Sequence, residues 1–177
     1  MQIGGGVTAS NAKEYIDAGA SHVIVTSYVF SDGKIKWENL KNLVKAVGKQ
    51  HVVLDLSCRR KGDDYYIVTN RWQTFTETKL EAEVLLELAG YCDEFLVHGV
   101  DVEGKSAGVD ENLVAILNEA MILDDEIVIT YAGGIGIQPE HTGNHAPLQG
   151  SLFHQQYLYN YPASIEFGSC VHNTLLF

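Results

Sequence analysis

The stretch His22-Val23-Ile24-Val25-Thr26-Ser27, followed by Trp37 to Val47 and then by Val52-Val53-Leu54-Asp55-Leu56, decides the fold class. Its two ends are short β-branched runs. Its middle puts Trp37, Leu40, Val44 and Val47 on one helical face and ends at Gly48, so the whole reads strand, helix, strand. A helix joining two apolar strands returns the chain to a parallel neighbour. Outward from this unit the alternation continues. On the amino-terminal side Gln2-Ile3 runs into Gly4-Gly5-Gly6, and Ser10 is placed to cap a helix that ends near Gly19. On the other side come a helix over Glu81 to Leu88, a strand over Phe95 to His98, a helix over Glu111 to Met121 and a strand over Ile127 to Tyr131, which closes on Ala132-Gly133-Gly134. The class is α/β with a parallel sheet.

Two stretches break the rhythm. Arg59 to Thr78 exceeds an ordinary strand-to-helix loop and carries its own strand, Tyr65 to Thr69, which predicts a lid or binding loop. Beyond Gly136 no helical period appears, and Pro139, Pro147 and Pro162 are the only prolines of the chain. The chain therefore divides into an ordered part over 1–135 and a divergent, irregular part over 136–177.

Composition narrows the function. A formal charge of −11, from 23 acidic and 12 basic side chains, speaks against a general nucleic-acid surface, so any phosphate must be held locally. No apolar run approaches the roughly 20 residues of a bilayer span, so no membrane role is expected. Cys58, Cys92 and Cys170 are widely spaced and form no CxxC pair, the pattern of a reducing compartment. From the first residues neither a signal peptide nor a transit segment is expected. His141, His145, His154 and His172 invite a metal reading, but Gly143 and Asn144 deny the first two a dependable helical face, so no metal is expected.

The chemistry gathers at the strand exits. In order these present Gly4-Gly5-Gly6, Thr26-Ser27, Asp55 with Ser57, His98 with Asp101, and Ala132-Gly133-Gly134. Glycine amides where a strand hands over to a helix suit close approach of a phosphate, and two such places suit a ligand with two phosphates. Ligands of (β/α)8 barrels sit at the carboxyl ends of the strands. The plain alternative is that these are turn residues.

With these residues in place, the strings Gly4-Gly5-Gly6-Val7, His22 to Ser27, Val53 to Arg59, Arg71-Trp72-Gln73, Glu94 to Gly104 and Tyr131 to Gly134 resemble a known family. It is phosphoribosylformimino-5-aminoimidazole carboxamide ribotide isomerase, the aldose–ketose isomerase of histidine biosynthesis, in its eukaryotic and especially plant form. The resemblance runs from residue 1 to about 135 and implies a (β/α)8 barrel family, here an incomplete barrel covering about strands three to seven of the eight. Whether Phe167-Gly168-Ser169 is the eighth-strand motif or chance stays open.

The resemblance also implies an Amadori rearrangement of a bisphosphorylated ribosyl imidazole carboxamide, with no metal and no cofactor. Asp55 matches the family's acid aspartate. Its partner aspartate lies on the first strand, which has no counterpart in this sequence, so this chain alone is expected to be inactive or nearly so. His98 has two readings, assistance in proton transfer or a satisfied core histidine. Arg59, Asp101, Trp72 and Gln73 are expected at the substrate, the last two in the loop that closes over the imidazole carboxamide. One phosphate falls to Gly5, Gly6, Thr26 and Ser27, the other to Gly133 and Gly134 with Gly168 and Ser169. The family resemblance implies a monomer, while the open edges of an incomplete barrel favour self-association. The expected compartment is the cytoplasm, or the plastid if a transit segment precedes the matched strands. Two other readings stand beside this one. The related cyclase barrel of the next pathway step is disfavoured by Arg71-Trp72-Gln73 and Asp101-Val102-Glu103-Gly104; a non-catalytic phosphate- or partner-binding protein remains distinct from both.

Overall fold

A computed structural model of the chain describes residues 1–103, 105 and 108–134, together with two backbone strands over 165–167 and 174–176. In chain order the elements are β1 (Gln2–Gly4), α1 (Ala12–Asp17), β2 (His22–Val25), β3 (Phe30–Ser31), β4 (Lys34–Ile35), α2 (Trp37–Val47), β5 (Val52–Lys61), β6 (Asp64–Thr69), β7 (Thr74–Lys79), α3 (Ala82–Ala89), β8 (Glu94–Gly99), α4 (Glu111–Leu123), β9 (Val128–Ala132), β10 (Ile165–Phe167) and β11 (Thr174–Leu176). The fold is α/β, as the alternating periods predict, but the sheet is mixed rather than wholly parallel, because β6 and β7 pair antiparallel.

The main sheet runs β10-β9-β8-β5-β2-β1-β11, every neighbouring pair parallel, and β6 and β7 continue from β5 as an antiparallel ribbon. From β1 to β10 the parallel strands lie side by side in chain order. Each crossover therefore steps the same way across the sheet. Consecutive crossover helices touch, α1 against α2 and α3 against α4, which places each pair on one face.

The two faces of the sheet divide apolar from polar. Val23 and Val25 of β2, Val52, Leu54 and Leu56 of β5, Phe95 and Val97 of β8, and Ile129 and Tyr131 of β9 join Leu40 and Leu43 of α2, Leu85 and Leu88 of α3 and Leu113 and Leu117 of α4 in one core. Alternate residues of the same strands face the other way and include Asp55, Ser57, Glu94, His98 and Thr130. On this second face Gln2 of β1 donates from Nε2 to Glu94 Oε2 of β8 at 2.6 Å, and Thr130 of β9 donates to Glu94 Oε1 at 2.6 Å. Strands β2 and β5 lie between β1 and β8, so a flat sheet would separate them by about 14 Å at the usual spacing near 4.8 Å. The sheet is rolled around its polar face.

Local chemistry accounts for the element ends. Helix α2 stops at Gly48, whose φ of 84° is open to glycine and whose N–H reaches Val44 O at 2.7 Å. Helix α1 departs from expectation: its N-cap is Asn11, no side chain caps it, and Ser10 Oγ lies 2.8 Å from Thr8 Oγ1 instead. Strand β5 runs five residues past Leu56, because the ladder to β8 continues to Cys58 and Cys58 to Lys61 pair with β6 beyond the end of the ladder to β2. Asp55 is thus inside a strand rather than at its exit, and Arg59 to Thr78 is an ordered ribbon with an unforeseen strand, β7. The part read as irregular, 136–177, contains β10 and β11, and its remainder lies outside the described residues, with Gly168, Ser169, the four tail histidines and Cys170 among them.

Candidate active site

Asp55 is 8% exposed and is held at both carboxylate oxygens by the neighbouring strands. Thr26, just past β2, donates its hydroxyl to Oδ2 at 2.9 Å, and His98 of β8 donates from Nδ1 to Oδ1 at 2.8 Å. These contacts follow from register: Leu54 pairs with Val25, which brings Thr26 level with Asp55, and His98 pairs with Ser57 on the same face. With both oxygens engaged, the carboxylate plane is fixed. Burial, the largest influence on His98, opposes the imidazolium; the hydrogen bond to Asp55 and the charges of Asp55 and Glu103 act the other way and prevail, so its pKa rises above the ordinary 6.5. His98 is a charge-paired group whose side chain is 13% exposed, satisfied by Asp55 and standing beside the cleft.

Asp55 opens into a cleft of about 630 Å³ lined by Thr26, Ser27, Phe30, Ser57, Val68, Thr69 and the turn Asn70–Gln73. Thr26, Ser27, Asp55, Trp72 and Gln73, all named from the sequence, meet here. The turn joins β6 to β7 and puts three consecutive non-glycine residues at positive φ, Asn70 at 53°, Arg71 at 53° and Trp72 at 69°. Left-handed backbone costs each such residue roughly 1–2 kcal/mol, and this strain is kept where surrounding contacts over-determine it. Trp72 is fixed at two points: its indole N–H donates to Ser57 Oγ at 3.1 Å, and its carbonyl accepts from Arg59 Nη1 at 3.2 Å. The residue is still 40% exposed.

The remaining sequence-named residues lie around this centre. Arg59 Nε donates to Asp101 Oδ1 at 3.3 Å, and the Arg60 amide donates to Asp101 Oδ2 at 2.7 Å. Gly5 and Gly6 follow β1 at φ of 101° and 64°, and a Cβ on Gly6 would meet no heavy atom within 4 Å. Gly133 and Gly134 are different in kind. A Cβ on Gly133 would come within 2.9 Å of Gly99 O and 3.3 Å of Glu103 Oε2, and the Gly134 carbonyl accepts from Gly108 N at 3.0 Å. Close backbone approach by itself requires glycine there.

Glu103 is a residue that the sequence pattern does not single out. Its Oε2 is buried with no hydrogen-bond partner among the described residues, and its charge raises the His98 pKa. The signal available was a second carboxylate two positions after Asp101. Cys58, on the opposite face of β5 from Asp55 and Ser57, is pushed far up by burial and then by the Asp55 charge, so it stays a thiol and offers no nucleophile.

The parallel strands, the carboxylate held level between β2 and β8, and the cleft at their carboxyl ends place the site where α/β enzymes carry theirs. The chain belongs to the histidine biosynthesis protein family, whose model matches residues 1–157. It is similar to a chloroplastic phosphoribosyl imidazole-4-carboxamide isomerase of Medicago truncatula, 54% identical over 140 residues, which cover 79% of this chain and 44% of the relative. The corresponding isomerase of Yarrowia lipolytica is 47% identical over 138 residues, 76% of this chain and 52% of its own. That of Saccharomyces cerevisiae is 43% identical over 136 residues, with the same coverage of 76% and 52%. The chain spans about half the length of the curated relatives it matches.

Proposed function

We propose that this chain carries the Asp55 part of an aldose–ketose isomerase site for a bisphosphorylated ribosyl imidazole carboxamide, on one arc of a (β/α)8 barrel. The observation that carries the reading is Asp55 itself, near-buried, gripped by Thr26 and His98 and facing the cleft beneath Trp72. The barrel reading rests on parallel strands laid in chain order and on the Gln2–Glu94 contact across two intervening strands.

Opening the ribose requires a proton on the ring oxygen as its bond to C1 breaks, and the aminoketose then requires transfer of the C2 proton to a base, which in this account is the partner aspartate on the segments that the longer relatives have in addition. Asp55 is the proton donor in this account. His98 holds the carboxylate in place and, as the imidazolium, passes its Nδ1 proton across their 2.8 Å hydrogen bond to make Asp55 the acid, itself becoming the neutral imidazole. Glu103 lies in the loop past β8, and its Oε2, without a hydrogen-bond partner among the described residues, suits it to a polar substrate group. Gly5, Gly6, Thr26 and Ser27 take one phosphate, Gly133 and Gly134 with Gly168 and Ser169 take the other, and Trp72, Gln73 and Arg59 border the imidazole carboxamide. The Medicago truncatula relative's name places it in the chloroplast, which makes the plastid the compartment to examine first.

The test compares this chain with the same chain joined to the segments that its longer relatives have in addition, following conversion of the aminoaldose to the aminoketose. In the longer form, Asp55→Asn lowers kcat by about 10²-fold or more while affinity changes little. Unchanged kcat makes Asp55 structural, and turnover in neither form contradicts the isomerase.

A further inference from the structure

We propose that Asp101 is a positioning residue for Trp72, acting through Arg59; the proposal rests on the cleft reading above. Asp101 lies two residues past β8 and reaches neither the cleft nor Trp72 directly. Its Oδ2 takes the Arg60 amide at 2.7 Å, and its Oδ1 takes Arg59 Nε–H at 3.3 Å. A guanidinium is a rigid planar fork, so fixing Nε fixes where its other donors point. Nη1 of Arg59 then reaches the Trp72 carbonyl at 3.2 Å, while the guanidinium carbon sits 5.5 Å from the Phe75 ring centroid.

Ser57 and Arg59 stand two residues apart on one face of β5, and between them they hold Trp72 at both ends, indole N–H and carbonyl. The turn so held, Asn70-Arg71-Trp72, is left-handed at all three residues; Gln73 N–H to Asn70 O at 3.3 Å and Asn70 Nδ2 to Thr74 Oγ1 at 3.1 Å also brace it, but neither reaches Trp72. The Arg59 and Asp101 side chains are about a third exposed, 37% and 35%, and an ion pair so placed adds little to global stability. It need not, because a modest bias suffices to choose between two arrangements of a strained four-residue turn. Asp101 also follows His98 by three residues, so the strand end that bonds Asp55 carries the clasp on Trp72 as well.

The chain has two tryptophans, so with Trp37→Phe in every variant Trp72 reports alone. Asp101→Asn keeps the size and one acceptor but loses the charge; Arg59→Lys keeps the charge but loses the fork. Each variant is expected to raise acrylamide quenching of Trp72 about twofold, the double variant no further than either single one, and the urea midpoint to stay close to the parent, as for residues on one path. Unchanged quenching in either single variant, additive effects in the double, or quenching that rises only in step with a falling midpoint would overturn the proposal. No sugar phosphate is involved in this measurement. Failure of the chain to bind one therefore counts against the isomerase reading and leaves this inference standing.

Discussion

Asp55 and His98 are worth most when taken as a pair. Burial alone would lower the His98 pKa, so its rise depends on the carboxylate 2.8 Å away. In an NMR titration of the ring, His98 is expected to titrate above 6.5, and Asp55→Asn to bring it down, because burial then meets less opposition. A second expectation follows from linkage. A histidine whose folded pKa is raised contributes stability that is fully present below the unfolded value near 6.5 and is lost as pH rises through the folded value. Urea unfolding on either side of that window should show the parent losing stability relative to His98→Gln as pH increases; parallel pH dependences would mean that the pair does not form. The sequence could name both residues, since each stands at the end of an apolar run. It could not say that they touch, because contact depends on the register of β5 against β8, which no local signal encodes.

At the scale of elements, the helices and parallel strands were legible because burial on one face leaves a period. The span Trp37–Val47 is a case: the stripe and the closing Gly48 mark the helix of the structure at both ends. Leu40 is fully buried, and Leu40→Ala should cost about 2–5 kcal/mol in chemical denaturation. Antiparallel pieces were harder. Asp32-Gly33, at φ of 53° and 72°, is the turn of the β3–β4 hairpin, and its dipeptide was an available signal that went unread. Strand β7, Thr74–Lys79, escaped because alternating threonines with charged neighbours offer little apolar contrast. The glycines show a different limit, for two pairs that look alike in sequence sit in unlike surroundings. Gly6→Ala should cost about 1 kcal/mol, the price of its positive φ in open space. Gly133→Ala adds a collision with the Gly99 backbone and should cost about 2–5 kcal/mol. Equal losses by urea denaturation would mean that the Gly99 contact yields.

Over the whole molecule, the polar face of the rolled sheet and its apolar, helix-covered face divide the labour between function and stability. Helices cover Val23, Leu54, Phe95 and Ile129, whereas Asp55, His98 and Glu94 look toward the inside of the curve. Strand order in the sheet was beyond local sequence patterns; the resemblance to an isomerase barrel implied it, and the parallel pairings in chain order agree. We propose that the carboxyl ends of β1, β2 and β8, with the middle of β5, form a sugar-phosphate site centred on Asp55. An amide-resolved NMR titration of the chain with the bisphosphate aminoaldose tests it most directly. Saturable shifts at Gly5, Gly6, Thr26, Asp55, His98 and the Trp72 indole, with Met1 and the exposed end of α4 at Ile122 and Leu123 unmoved, are the predicted result. No saturable shifts, or shifts gathered away from those strand ends, would contradict it.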